Sequence, residues 1–302
     1  MNTPQSAILP DHCLAAIYIE ADVREGSEAA LRQASVKALA ALNALQQRFD
    51  DISLGLTIAF GSNLWQRFGH TEEGAELKPF RALGNGLAPA TQHDVMIHIQ
   101  SMRADVNLRL AADVLAAFGD TLQVASETHG VRQLEERGWD GFVDGTENPH
   151  GDEACASVGT VAAGVPGEGG SYVLLQKYRH DLAKWQQIGI TAQEAAVGRS
   201  KVENEEFSAA VRLPDSHLGR TNIKENGRGL KIVRRSMPYG TVSGEHGLMF
   251  IAYCAHLHNI EEQLLHMFGE FDGKIDLLLK HMSTAVSGAY YYAPSVERLQ
   301  NL

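Results

Sequence analysis

Residues 53–60, SLGLTIAF, set Leu54, Leu56, Ile58 and Phe60 against Ser53, Gly55, Thr57 and Ala59 in strict alternation, the period of a half-buried strand. Upstream, 14–20 (LAAIYIE) reads as a buried strand. Between the two, Ser27 is placed to cap a helix in which Leu31, Ala34, Ala38, Leu42, Leu45 and Phe49 recur at steps of three and four. Downstream, Val95, Ile97 and Ile99 alternate like 53–60. A second helix from about Ala104 carries Leu110, Val114 and Phe118 on one stripe, with Gly119 placed to end it, and 121–128 (TLQVASET) returns as a strand. The order is β-α-β-β-α-β, a ferredoxin-like unit.

The second half repeats this order. SYVLLQKY at 171–178 is a strand, a helical stretch spans about 181–197, and GLKIVRRS at 229–236 and LMFIAYCA at 248–255 read as strands. Ile260, Leu264 and Phe268 mark a helix closed by Gly269, and AYYYAP at 289–294 is the last strand, which leaves Tyr290, Tyr291 and Tyr292 as strand and core residues. The expected fold class is α+β: two tandem ferredoxin-like (βαββαβ) halves forming one compact body, with a cavity between their sheets. The expected division is an N-terminal half, 1–149, an irregular Gly- and Ala-rich connector, 150–170, and a C-terminal half, 171–302.

The 302 residues are enough for a substantial core, and 44% hydrophobic with 21% charged residues is ordinary globular composition. The net charge of -11 argues against nucleic acid as a partner, although Arg228, Lys231, Arg234 and Arg235 form a basic cluster suited to a small anion. Cys13, Cys155 and Cys254 are scattered and odd in number, neither a disulfide framework nor a zinc pattern. No export signal and no membrane span is visible, so the expected setting is the cytoplasm, with no membrane partner. The 13 histidines raise the prior for metal or haem chemistry.

Residues 141–149, GFVDGTENP, demand a turn, and the glycines let backbone approach a flat ligand. The residues alone also allow a plain loop in which Asp144 bonds its own backbone. His217 alone reads as a surface histidine beside Asp215, Asp276 as a solvated helix acid, and Arg234 as an exposed strand residue. His256 and His258, two apart, would share one strand face and could hold zinc with His246 or Glu262, but no activated-water motif surrounds them. PGEGG at 166–170 lacks the lysine and helix of a phosphate loop.

GFVDGTENP resembles the GxxDG signature of dye-decolorising peroxidases, with the TENP extension those proteins carry. The resemblance continues through PDSHLGR (214–220), GLKIVRRSMPYG (229–240), AHLHNIEEQL (255–264) and SGAYYYAPS (287–295), in the family's order. It covers almost the whole chain, matches the tandem ferredoxin-like halves, and is nearest to the short bacterial cytoplasmic (B-type) members. It implies haem b (iron protoporphyrin IX) in the C-terminal half, with His217 bonding the iron and Asp276 hydrogen-bonding His217. It makes Asp144 and Arg234 the distal pair. Peroxide must lose a proton, and its O–O bond must break with charge growing on the leaving oxygen; a carboxylate serves the first need and a guanidinium the second. Ser236 stands where some members have asparagine, and a hydroxyl also donates to peroxide. Gly145, Thr146 and Glu147 would line the haem through their backbone, and Arg199 would meet a propionate.

The implied activity is reduction of hydrogen peroxide with one-electron oxidation of bulky organic donors such as anthraquinone dyes and phenols, in a homo-oligomer. The alternative is a haem-handling protein that stores haem or releases its iron, which needs His217 but has no use for the Asp144–Arg234 pair. A zinc or non-haem hydrolase is a third, weaker reading.

Overall fold

The computed structural model describes residues 2–302. The first half runs β1 (Ala15–Val23), α1 (Glu28–Arg48), β2 (Gly55–Phe60), α2 (Ser62–Arg67), β3 (Val95–Ser101), α3 (Ala104–Phe118) and β4 (Leu122–Val131). After α4 (Asp152–Gly159), the second half runs β5 (Ser171–His180), α5 (Leu182–Gln187), α6 (Gly189–Val197), α7 (His217–Thr221) and the short pieces β6 (Lys224–Glu225), β7 (Arg228–Gly229) and β8 (Val233–Arg234). Then come β9 (Met237–Gly240), β10 (His246–Cys254), α8 (Leu257–Met267), α9 (Leu277–His281), β11 (Ser283–Ala285), β12 (Ala289–Ala293) and α10 (Val296–Leu299).

Each half makes a sheet with the ferredoxin-like strand order, β2-β3-β1-β4 and β12-β5-β10-β9. The two sheets do not face each other across a cavity. They join at both edges, Tyr292 pairing with Phe60 and Gly130 with Tyr239, and so close an eight-stranded barrel. This corrects the half-buried reading of 53–60: β2 and β3 are buried on both faces. Leu56, Ile58, Ile97 and Ile99 pack outward in the main core beneath α1 and α3, whereas Ala59 and Met96 fill the barrel interior with Tyr18, Val173, Ile251 and Tyr253. His98 also points inward, stacked on Tyr18 at 4.9 Å with Nδ1 2.8 Å from the Tyr253 hydroxyl. Burial drives its pKa down to about 3, so the ring is neutral.

Three local expectations are corrected. Ser27 sits at the start of α1, but its hydroxyl makes no capping bond. The segment 150–170 contains α4, whose buried Cys155 and Gly159 pack toward Val233; an Ala-rich stretch is as good a helix as it is a loop. The strand expected at 229–236 is broken into β7 and β8, and the ladder on β10 resumes only at β9. At the break Arg235 donates its N–H to the Ile251 carbonyl (3.1 Å), while the Ile251 N–H goes to the Ser236 hydroxyl (3.2 Å). A side chain replaces one ladder bond there, as in a bulge.

Cys13, Cys155 and Cys254 are free and buried, and burial pushes the Cys13 and Cys254 thiols up to about 11. Among the described residues no helix is long and apolar enough to cross a membrane.

Candidate active site

The large cavity lies outside the barrel, on the second half. Leu174, Leu248 and Phe250, from the outward faces of β5 and β10, form one wall, and Ile260 and Leu264 of α8 another. Its empty space, open mouth included, is about 1630 Å³.

His217 opens α7 into this cavity. Ser216 caps the helix, accepting from the Gly219 N–H at 3.2 Å and donating to the Leu213 carbonyl at 2.7 Å. The turn is tight enough that a Cβ on Gly219 would fall 2.6 Å from the Leu213 oxygen. His217 Nδ1 is 2.6 Å from Oδ2 of Asp276, which is fully buried and caps α9 by accepting the Leu278 N–H at 2.8 Å. The Leu277 N–H donates to the Asp215 carbonyl at 3.0 Å, so α9 is locked to the histidine's own turn. Burial disfavours the imidazolium most, yet the charge and hydrogen bond of Asp276 outweigh it, leaving the ring's pKa raised. With Nδ1 engaged, Nε2 has no hydrogen-bond partner among the described residues.

On the same cavity, an Arg234 guanidinium nitrogen lies 3.3 Å from Oδ1 of Asp144. That oxygen also accepts the Gly145 N–H at 2.7 Å, in a loop where Gly145 has φ +90°, so the plain-loop contact and the charge pair coexist. Asn148 fixes the two strands of the site together: its amide accepts from the Arg234 N–H (2.9 Å) and donates to the Arg234 carbonyl (3.0 Å). Thr146 and Glu147 line the cavity, while Gly145 faces a neighbouring polar one. Arg199 is buried on the cavity wall with its charge already met by Glu147 (3.0 Å) and by Asn204 (2.8 Å). Glu147 also lies 3.3 Å from Lys231.

Ser236 is not on the apolar cavity; it lines the polar one, with its hydroxyl engaged by Ile251. The basic cluster is divided, because Arg235 turns away and is buried against the Ile8 and Leu9 carbonyls. His256 and His258 are not on a strand: the first precedes α8 and pairs with Glu76 at 2.9 Å, and the second lies in α8 and pairs with Glu225 at 3.1 Å.

Sequence reasoning passed over Asn148, although it lies within the loop it quoted, and Asp140, four residues before Asp144 in GWDGFVDG. Asp140 is on the cavity wall, accepting the Phe142 N–H at 3.0 Å. Burial pushes its carboxyl up to about 6, against that hydrogen bond and with help from Asp144. A raised carboxyl value favours the fold while the group is protonated; the contribution is full below about pH 4 and lost as pH rises through about 6. Ionised, Asp140 then costs about 3 kcal/mol. Asp140→Asn should therefore stabilise the apoprotein by about 2–3 kcal/mol at pH 8 and by nothing at pH 4. Urea titrations at the two pH values check this, and an equal gain at both would refute it.

The family model described as Dyp-type peroxidase, N-terminal, matches residues 5–132, and Dyp-type peroxidase, C-terminal, matches 135–298. The chain belongs to the Dyp-type peroxidase family. It is 36% identical to a dye-decolorizing peroxidase of Brevibacterium linens, over 99% of this chain and 83% of that protein. The dye-decolorizing protein from V. cholerae is 40% identical with a TM-score of 0.91, covering 98% of this chain and 99% of that one. A Rhodococcus jostii RHA1 DypB variant in complex with heme is 30% identical, with a TM-score of 0.91 over 99% and 98% of the two chains. This Dyp-type peroxidase is thus a haem-dependent oxidoreductase, acting on hydrogen peroxide and a reducing substrate. Its own residues suit haem: an apolar cavity, a histidine whose Nδ1 is engaged and whose Nε2 is unpartnered, and a carboxylate–guanidinium pair on the same cavity.

Proposed function

We propose that the chain binds haem b through His217 Nε2 and oxidises bulky donors, anthraquinone dyes and phenols among them, by one-electron steps. The observation that carries this is the convergence of His217, Asp144 and Arg234 on one apolar cavity. When bound, haem supplies the redox-active iron at which peroxide is cleaved and from which donors are oxidised. Asp276 holds the His217 ring by Nδ1, fixing its orientation and making Nε2 a better electron donor. Asp144 accepts the proton from peroxide and returns it to the departing oxygen. Arg234 stabilises the negative charge on that oxygen. Ser236 shares the polar cavity with both; its hydroxyl accepts the Ile251 N–H at 3.2 Å and can turn its own O–H from a long 3.4 Å contact with the Ile251 carbonyl to donate to peroxide in support of the pair. Thr146 and Glu147 line the group and Gly145 shapes the loop. Arg199 reaches a propionate only by exchanging Glu147 for it. The same reading assigns the distal loop to a first half ending at 149, with 150–170 as connector and the haem site in 171–302. Free, buried cysteines support a reducing, cytoplasmic setting.

The test is Asp144→Asn, compared with wild type at matched haem content. General-base loss costs on the order of 10²-fold or more, so dye oxidation should fall by about 10²-fold with the Soret band retained. An unchanged rate would leave the loop a purely structural role, and release of iron without turnover by the wild type would favour the haem-handling reading.

A further inference from the structure

The polar cavity meets the apolar one at Val143, Asp144, Thr146 and Arg234, which line both. Its outer wall includes Asp11 and His12 from the segment before β1, Arg132 just past β4, and Glu136. Two of these wall residues hold left-handed backbone without being glycine: His12 at φ +56° and Glu136 at φ +58°. Such strain persists only where the surroundings over-determine it, and it concentrates at functional sites.

The bonds around the strained pair run to the Asp144 backbone and to Arg235, whose guanidinium donates to the Arg234 carbonyl at 3.2 Å. Asp11 Oδ1 accepts the His12 N–H at 2.9 Å and lies 3.3 Å from a guanidinium nitrogen of Arg235, the residue after Arg234. His12 Nδ1 is 2.5 Å from Glu136 Oε1, and an Arg132 guanidinium nitrogen is 3.8 Å from the same oxygen. Arg132 Nε also donates to the Cys13 carbonyl at 2.7 Å, tying the turn at 11–13 to the end of β4. The Glu136 carbonyl in turn accepts the Asp144 backbone N–H at 2.9 Å.

We propose that Asp11 and His12 form a latch that positions the distal pair, Asp11 through Arg235 and His12 through Glu136. The inference rests on Asp144 and Arg234 being the peroxide pair. Both are positioning residues: neither lines the haem cavity. The His12 side chain is 65% exposed, so its bond adds little to global stability. Its effect is on where the Asp144 loop sits.

The latch separates strain from bonding in a way that variants can read. His12→Gly relaxes the backbone but removes the partner of Glu136. His12→Asn tolerates the left-handed conformation and keeps an amide donor. With the latch intact only in the second, His12→Gly should speed hydrogen exchange of the Asp144 segment in the apoprotein by about two- to five-fold, the size set by one solvent-exposed pair. In the haem-loaded protein it should lower the second-order rate with peroxide by about two- to five-fold, leaving haem content and the KM for the donor unchanged. His12→Asn should match wild type in both measurements. The proposal is overturned if His12→Gly matches wild type, or if the two variants are equally impaired. Should the wild-type holoprotein not consume peroxide, the functional reading fails, and the exchange measurement on the apoprotein still decides the latch.

Discussion

His217→Ala should purify folded and, when haem is added, show only the broad absorption of free haem without the sharp Soret band of a ligated complex. The side chain supplies the unpartnered imidazole nitrogen on the cavity, and axial ligation is what retains the group. The fold should survive, because His217 is the first residue of a short helix whose capping is done by Ser216. The local cost falls on Asp276, which is fully buried and keeps only its bond from the Leu278 N–H; breaking one side of a buried pair is worth about 3–5 kcal/mol. His217→Ala,Asp276→Asn should recover much of that stability without recovering haem. Full haem content with an unchanged spectrum in the single variant would assign the ligand to another histidine.

Arg234→Leu should react with peroxide ~10²–10³-fold more slowly, the usual effect of losing one preorganised charge donor, while keeping its haem. The structure explains why the loss should be chemical and not structural. Asn148 holds Arg234 by its backbone N–H and carbonyl, neither of which the substitution touches. Stopped-flow mixing with peroxide, followed at the Soret band, measures the rate. A value within a few-fold of wild type would mean that Asp144 and Ser236 carry the step without it.

The sequence made the secondary elements legible wherever one periodicity ruled, as in β1, α1 and α3. It misled where a strand was buried on both sides. Gly55, Thr57 and Ala59 are small enough to look solvent-facing, yet they face a filled barrel, and nothing local to 53–60 encodes that closure. It misled again at 229–236, read as one strand, which the structure breaks where the Ser236 hydroxyl takes the Ile251 N–H. The ordered motifs carried His217, Asp144 and Arg234, which the structure sets on one cavity; Asp276 lies outside those motifs and meets the group through His217. What the motifs could not reveal were contacts made by backbone: Asn148 on Arg234, the Glu136 carbonyl on Asp144, and the arrangement that keeps Ser236 on Ile251. Those depend on loop conformation, which residue identity constrains weakly.

The closed ring of strands has a consequence for how the cofactor half endures. Because β12 leans on β2 and β9 on β4, neither sheet owns its outer edges. Melting the first half would strip the second of both lateral neighbours, break the Tyr292–Phe60 and Gly130–Tyr239 pairings, and leave β12 and β9 as open edges. Opening is therefore shared, and the walls around the haem draw their persistence from residues that never approach it.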